Sequence, residues 1–256
     1  NRKSGWFGAG SASAVAATVF RVIRRGVVMP KISVITVCYN EPEVKRTCDS
    51  ILGQSSGDYE WLVIDGGSTG QCLETLRAYA GKAACFVSER DNGIYDAMNK
   101  GIARARGEYL IFMNAGDVFF HSEILRLVEP YLNGENEVVY GDTQYINEDG
   151  SSEIVSCPDS LPKEFFIGNT INHQSAFIRR SLFARFGCYD ENFPIFADVE
   201  KWLVYKENGC RFKHLPVIVA GFYRTGVSSH YTESYYAERR RMYEKHFNAD
   251  FLKKYL

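Results

Sequence analysis

Residues 31–39, "KISVITVCY", hold apolar or β-branched side chains at nearly every position and show no inside/outside alternation. Such a run fits a strand covered on both faces, as in a parallel sheet, rather than a strand with one wet face. Next, "EPEVKRTCDSILGQ" (41–54) places Val44, Cys48, Ile51 and Leu52 at helical spacing, and "EWLVIDGGSTG" (60–70) is a second apolar run ending in Asp65-Gly66-Gly67-Ser68. Strand, helix and strand in that order make a βαβ unit.

The alternation continues with a helix through Leu73 and Leu76 and a strand in "ACFVSER" (84–90). A helix in "GIYDAMNKGIARARG" (93–107) uses Ile94, Met98, Ile102 and Ala105, and a fourth strand is "EYLIFMNAGD" (108–117). A helix with Ile124, Leu127, Val128 and Tyr131 on one face follows, then a strand in "EVVYGDTQYIN" (137–147) entering a hairpin at Asp149-Gly150. The second half is less regular, with a Pro-containing stretch, a helix in "DVEKWLVYKENG" (198–209), a strand in "CRFKHLPVIVAGFY" (210–223) and a basic-aromatic tail. The expected fold is α/β, a doubly wound, mostly parallel sheet with a smaller antiparallel element and C-terminal helices.

The chain has 256 residues, 45% of them apolar, ample for a large core. A net charge of -1 argues against an electrostatic nucleic-acid binder. Residues 1–29 carry five basic side chains and no acid, leaving about -6 elsewhere by subtraction, and are expected to be a leader outside the fold. Seven cysteines without CxxC spacing read as reduced thiols of a cytoplasmic protein, with neither zinc site nor disulfide framework. No window approaches the roughly 18 uncharged apolar residues of a membrane span.

In open α/β sheets, ligands bind beyond the carboxyl ends of the strands. Three such ends carry polar residues here: Tyr39-Asn40-Glu41, Asp65-Gly66-Gly67-Ser68 and Asn114-Ala115-Gly116-Asp117. One acid at a strand end is ordinarily a helix cap, whereas three polar ends in successive units predict a site for a polar small molecule. The first strand is followed by no Gly-x-Gly-x-x-Gly, and no P-loop occurs anywhere. A phosphate-bearing ligand would need another counter-charge, and a divalent cation on Asp117 is the means available.

Taken together and in order, "ISVITVCYNE", "WLVIDGGST", "DNGIYDAMNKGIARARGEYLIFMNAGD" and "FADVEKWL" resemble the successive signatures of family 2 glycosyltransferases with the GT-A fold. They are most similar to the bacterial branch of colanic-acid, capsule and exopolysaccharide transferases, and the resemblance covers about residues 31–226. It implies a nucleotide-binding half at 30–118, an acceptor half at 119–226 and a helical tail at 227–256, all in one domain. It implies that Tyr39 meets the nucleotide base and Asp65 the base or ribose, with Glu41, Asp91, Asn99 and Asn114 around the donor sugar and diphosphate. Asp117 becomes the surviving acid of a reduced Asp-x-Asp element holding Mn²⁺ or Mg²⁺, and Asp198 the base, with Glu200 as its substitute. His173 and Gln174 would contact acceptor or diphosphate, as would Arg224 and His230 from a late loop. Gly70 stands where the family often has a further acid, and Ala197 where it has the first acid of a pair.

The function so implied is transfer of a hexose from a nucleotide-diphosphate sugar to a glycan or lipid-linked acceptor, with inversion, in cell-surface polysaccharide synthesis. A nucleotidyltransferase is the first alternative, but it would open with a Gly-rich basic loop that "CYNEPEV" lacks. A catalytically inactive sugar-nucleotide or glycan-binding module is the second, favoured by the reduced metal motif and by Ala197. The tail "SYYAERRRMYEKHFNADFLKKYL" has six basic and three acidic residues, so it could lie on the inner face of an anionic membrane; a packed helix or a homodimer contact is the alternative reading.

Overall fold

The computed structural model describes residues 29–224 and 231–254. The leader expected over residues 1–29, save Met29, and His230 therefore lie outside the described residues. Four strands, β1 (Ile32–Cys38), β2 (Tyr59–Asp65), β3 (Cys85–Ser88) and β4 (Tyr109–Phe112), pair in parallel in the order β3-β2-β1-β4. Helices α1 (Val44–Leu52), α2 (Gly70–Tyr79) and α3 (Ile94–Arg104) are their crossovers.

The absence of alternation in β1 has its expected cause, since all seven of its residues are buried. Ile35 and Val37 face a core with Met98 and Ile102 of α3, while Val34 and Cys38 face another with Val44, Cys48 and Ile51 of α1. Helix α3 comes so close to the sheet that a Cβ on Gly101 would stand 2.6 Å from Ile35 Cγ2. Replacing Gly101 by alanine would overpack that contact at a cost of roughly 1–3 kcal/mol.

Beyond β4 the sheet becomes mixed. Strand β5 (Val118–Phe119) is followed by α4 (Ile124–Val128), and β6 (Val138–Ile146) turns into β7 (Ser152–Val155). Then come β8 (Ala176–Arg179), α5 (Arg180–Phe186), α6 (Ala197–Glu207) and β9 (Phe212–Tyr223), with α7 (Glu233–His246) and α8 (Ala249–Leu252) at the end. Strand β8 bridges β4 to β6 in antiparallel pairs, and β9 runs parallel to β6 and antiparallel to β5.

One reading of the helices needs correction. In α4 the buried residues are Ile124, Leu125 and Val128, while Leu127 and Tyr131 are exposed, because the helix lasts only five residues and gives way to a 3-10 turn at Pro130. In α7 the inward stripe is Glu238, Met242, Tyr243 and His246, while Tyr236 is exposed. No helix among the described residues is long and apolar enough to cross a membrane.

Candidate functional site

Because β1 lies between β2 and β4, the polar ends of β1 and β4 emerge side by side. The end of β4 makes a tight turn in which Asp117 N donates to Asn114 O (3.0 Å), and Gly116 takes a φ of 100° that other residues resist. Thr47 of α1 holds this turn, accepting from Gly116 N (2.9 Å) and donating to Asp117 O (2.7 Å). A strand follows Asp117, not a helix, so the capping reading of this acid is overturned.

A cavity of about 480 Å³ opens over these ends. Its lining includes Tyr39, Glu41, Asp91, Asn114, Asp117, His173, Gln174 and Asp198, eight residues singled out from the sequence. Tyr39 is 67% exposed at its rim. Asp117 is buried at its floor, its Oδ1 accepting from Tyr223 N (3.0 Å) and its Oδ2 from Gln174 Nε2 (2.8 Å). Burial pushes its carboxyl up to about 6, against the hydrogen bonds from Tyr223 and Gln174 and the nearby Arg46 guanidinium, which lower it.

Asp65 and Asn99 do not line this cavity. Asp65 is fully buried, accepting from Ser68 N (3.1 and 3.2 Å) and Ser88 Oγ (2.6 Å), so its carboxylate closes the turn after β2. Asn99 clamps a loop, donating to Tyr189 O (3.0 Å) and Glu191 Oε1 (3.1 Å) and accepting from Tyr189 N (2.9 Å). Asp91 instead reaches across Gly66, where a Cβ would stand 2.2 Å from its Oδ2. Glycine at 66 is thus the condition for an Asp91 carboxylate in the wall.

Asp198 sits in the first turn of α6 with both oxygens oriented. Its Oδ1 accepts from Tyr95 OH (3.0 Å) and Val199 N (2.8 Å), and its Oδ2 from His173 Nδ1 (2.9 Å). His173 Nε2 then accepts from Asn114 Nδ2 (2.8 Å), which leaves Asn114 Oδ1 buried and without a partner among the described residues. Burial and the Asp198 charge push the Tyr95 hydroxyl well up, so it remains a donor. Its one proton is shared with Ile195 O (3.0 Å), tying Asp198 to the segment before its helix. Glu200, the substitute base, points elsewhere: Oε1 accepts from Lys245 Nζ at 2.6 Å, and the carboxylate does not line the cavity.

A second cavity, about 630 Å³, shares His173, Gln174, Ile195, Asp198 and Phe222 with the first. Its walls carry Tyr145, Phe165, Phe166, Tyr231, Tyr235 and Tyr243, with Asn169, Thr170, Arg224 and Arg239. Arg224 belongs here rather than over the donor-side strand ends, paired with Glu153 (2.7 Å) and lying 4.5 Å from the Tyr145 ring centroid. Two pockets, one lined by strand ends and one by aromatic rings, therefore meet at one oriented carboxylate.

Residues 33–186 match the family described as "Glycosyl transferase family 2". The chain belongs to that family. It is 33% identical over 224 residues to an uncharacterised glycosyltransferase of Mycobacterium tuberculosis, covering 85% of this chain and 84% of the relative. It is 35% identical over 176 residues to a PGL/p-HBAD biosynthesis glycosyltransferase of Mycobacterium bovis, covering 66% and 67%. Among solved structures, Staphylococcus aureus TarS 1-349 in complex with UDP-GlcNAc superposes with a TM-score of 0.65 at 19% identity, over 86% of this chain and 67% of that one. GalNAc-T7 with UDP, GalNAc and Mn²⁺ superposes with a TM-score of 0.64 at 20% identity, over 86% and 48%. The glycosyltransferase thus has the GT-A fold, a mixed sheet whose parallel part leads.

The sequence reading missed Thr47, Tyr95, Arg46 and Tyr223. Thr47 and Tyr95 carried a legible signal, since each falls on the inward stripe of its helix, between Val44 and Ile51 and before Met98 and Ile102. Arg46 and Tyr223 had none. The guanidinium lies 3.5 Å from the Tyr223 ring centroid and donates to Gly116 O (2.6 Å), a contact made by segments far apart in the chain.

Proposed function

We infer that this glycosyltransferase moves a hexose from a nucleotide-diphosphate sugar, held in the cavity over the strand ends, to a hydroxyl of a glycan or lipid-linked acceptor in the aromatic cavity, with inversion. The observation that carries this reading is the junction of the two cavities at Asp198. A hydroxyl entering from one side and an anomeric carbon from the other would meet beside a carboxylate already oriented by Tyr95 and His173. Asp198 takes the hydroxyl proton as the oxygen attacks the anomeric carbon, and the bond to the diphosphate oxygen breaks on the opposite face. One displacement inverts the centre.

Tyr39 offers an exposed ring to the base, and Asp91 and Glu41 offer acceptors for ribose or sugar hydroxyls. The described residues contain no group of three or more His, Cys, Asp or Glu that could hold a metal ion. Asp117 keeps a second lone pair on each oxygen, and Asn114 Oδ1 is an orphaned buried acceptor, so these two residues fit a divalent ion only if the donor's diphosphate completes its shell. When bound, such an ion would neutralise charge developing on the leaving diphosphate.

TarS is named with UDP-GlcNAc and GalNAc-T7 with UDP and Mn²⁺, which supports a uridine diphosphate donor and a divalent metal. The mycobacterial relative named for PGL/p-HBAD biosynthesis supports a glycolipid or glycan of the cell surface as the product. The test is release of nucleoside diphosphate from UDP-GlcNAc, UDP-glucose, UDP-galactose and GDP-mannose with Mn²⁺, for the native chain and Asp198→Ala. Metal-dependent release by the native chain alone supports transfer; tight donor binding without turnover of any donor sinks it in favour of a binding module.

A further inference from the structure

Helix α7 touches the site from behind. Tyr235, Glu238, Arg239, Met242, Tyr243 and His246 fall at positions i, i+3, i+4, i+7, i+8 and i+11, which puts them on one stripe of the helix. Tyr235, Arg239 and Tyr243 wall the aromatic cavity, and Tyr235 packs on Phe196 with ring centroids 4.8 Å apart. Between them, the buried Glu238 turns its Oε1 to the backbone, accepting from Ile195 N (2.8 Å) and Phe196 N (2.8 Å).

Those two N–H groups belong to the residues immediately before α6, and Asp198 lies two residues beyond Phe196. The same segment is held from the opposite side, where the one proton of Tyr95 OH is shared between Ile195 O and Asp198 Oδ1, each 3.0 Å away. Further along, Lys245 donates to Glu200 and lies 3.7 Å from Asp190, fixing the end of α7 to the same neighbourhood. The residue before α6, Phe196, caps nothing with its own side chain, and the two N–H groups leading into the helix, of Ile195 and Phe196, are held by Glu238 from α7.

We propose that Glu238 is a positioning residue for transfer: it holds the Ile195–Phe196 peptides so that Asp198 stands at the junction of the two cavities, and it makes the acceptor wall and the base one mechanical unit. Glu238 touches neither cavity's ligand itself. The inference rests on Asp198 being the base. It assigns to the basic-aromatic tail a function inside the active site, distinct from a membrane or dimer contact.

The test compares Glu238→Asp, Glu238→Gln and Glu238→Ala, each as the full chain. Donor-side binding is read as the thermal shift produced by UDP with Mn²⁺, and turnover as UDP release from whichever UDP-sugar of the panel the native chain uses. A displacement of about 1 Å can cost on the order of a hundredfold in rate, so Glu238→Ala and Glu238→Asp should lose roughly ten- to a hundredfold in kcat. Their KM for the donor and their UDP shift should stay within about twofold, because Tyr39, Asn114 and Asp117 stand on strand ends that Glu238 does not touch. Glu238→Gln keeps an oxygen at the same reach and should recover kcat to within about threefold. If the alanine variant does not fold, the Asp and Gln variants carry the comparison, since both retain a hydrogen-bond acceptor. Native kcat in Glu238→Asp, equal loss in Asp and Gln, or loss of the UDP shift together with kcat would overturn the positioning role. Absence of turnover by the native chain would overturn the transferase reading and this one with it.

Discussion

The two cavities that meet at Asp198 are built in opposite ways. The donor-side cavity is made chiefly of strand ends and the helix starts beside them, with Tyr39, Glu41, Asn114 and Asp117 supplied by the carboxyl edges of two adjacent parallel strands. The aromatic cavity draws on β6, the segment at 155–172, the entry to α6, the end of β9 and the face of α7. The first is fixed by backbone register, the second by side-chain packing between distant segments. Substitutions on the donor side should therefore change ligand affinity or chemistry while leaving the fold alone, and those behind the aromatic cavity should change stability and geometry together.

The sharpest contrast is at the shared carboxylate. Asp198→Asn keeps an acceptor for Tyr95 and Val199 and removes the base, so kcat should fall by about a hundred- to ten-thousandfold with donor affinity unchanged, measured as nucleoside diphosphate release. A fall of less than tenfold would move the base elsewhere.

Asp117→Asn should abolish Mn²⁺-dependent turnover while sparing the fold. Its pH dependence works out as follows: the folded carboxyl titrates at about 6 against 3.8 ordinarily, so the folded state holds the proton more tightly. The stabilisation is present below pH 3.8 and is lost as pH rises through 6, where the buried carboxylate must ionise. In metal-free protein, the difference in unfolding free energy between Asp117→Asn and the native chain, read by denaturant titration, should thus shift in favour of the variant between pH 4 and pH 7, by on the order of 2 kcal/mol. A large loss of Tm at pH 7 would show that the acid is structural.

Behind the aromatic cavity, Glu200→Gln should reverse that sign. Burial raises this carboxyl, but His246, Lys245 and Lys201 outweigh it and hold it at about 2 against 4.5 ordinarily. That contribution is complete above pH 4.5 and disappears as pH falls towards 2, so the variant should lose on the order of 2–3 kcal/mol at pH 7 and little at pH 2.5, read by denaturant titration. The smallest effect belongs to the rim. Tyr39→Ala should leave Tm unchanged and weaken UDP binding roughly tenfold, through loss of about 1–2 kcal/mol of base stacking, measured by calorimetry.

The same contrast explains what could be read in advance. Unbroken apolar runs such as "KISVITVCY" announce parallel strands, and polar residues at their carboxyl ends announce a ligand edge, because both follow from backbone periodicity. Asp65 looked like part of that edge, but an acid before two glycines serves a turn as readily as a ligand, and the hydrogen bonds of Ser68 and Ser88 decide for the turn. Asn99, on the same helix as Tyr95, points to Tyr189 rather than to the cavity. For α7, basic and aromatic residues at helical spacing fit a membrane surface, a dimer contact or a protein groove equally, and only the partners distinguish them.

What the sequence alone determined is the parallel βαβ order, the polar carboxyl ends of its strands and the family to which these motifs belong, since each is a local pattern of hydrophobicity or spacing. Only the tertiary structure decided that Asp91 crosses Gly66, that Tyr95 and His173 orient Asp198, and that Glu238 holds the start of its helix. The physical reason is distance along the chain. A hydrogen bond between residues 95 and 198, or 195 and 238, depends on how the sheet and helices stack, and no local sequence pattern encodes which buried donors will face which acceptors.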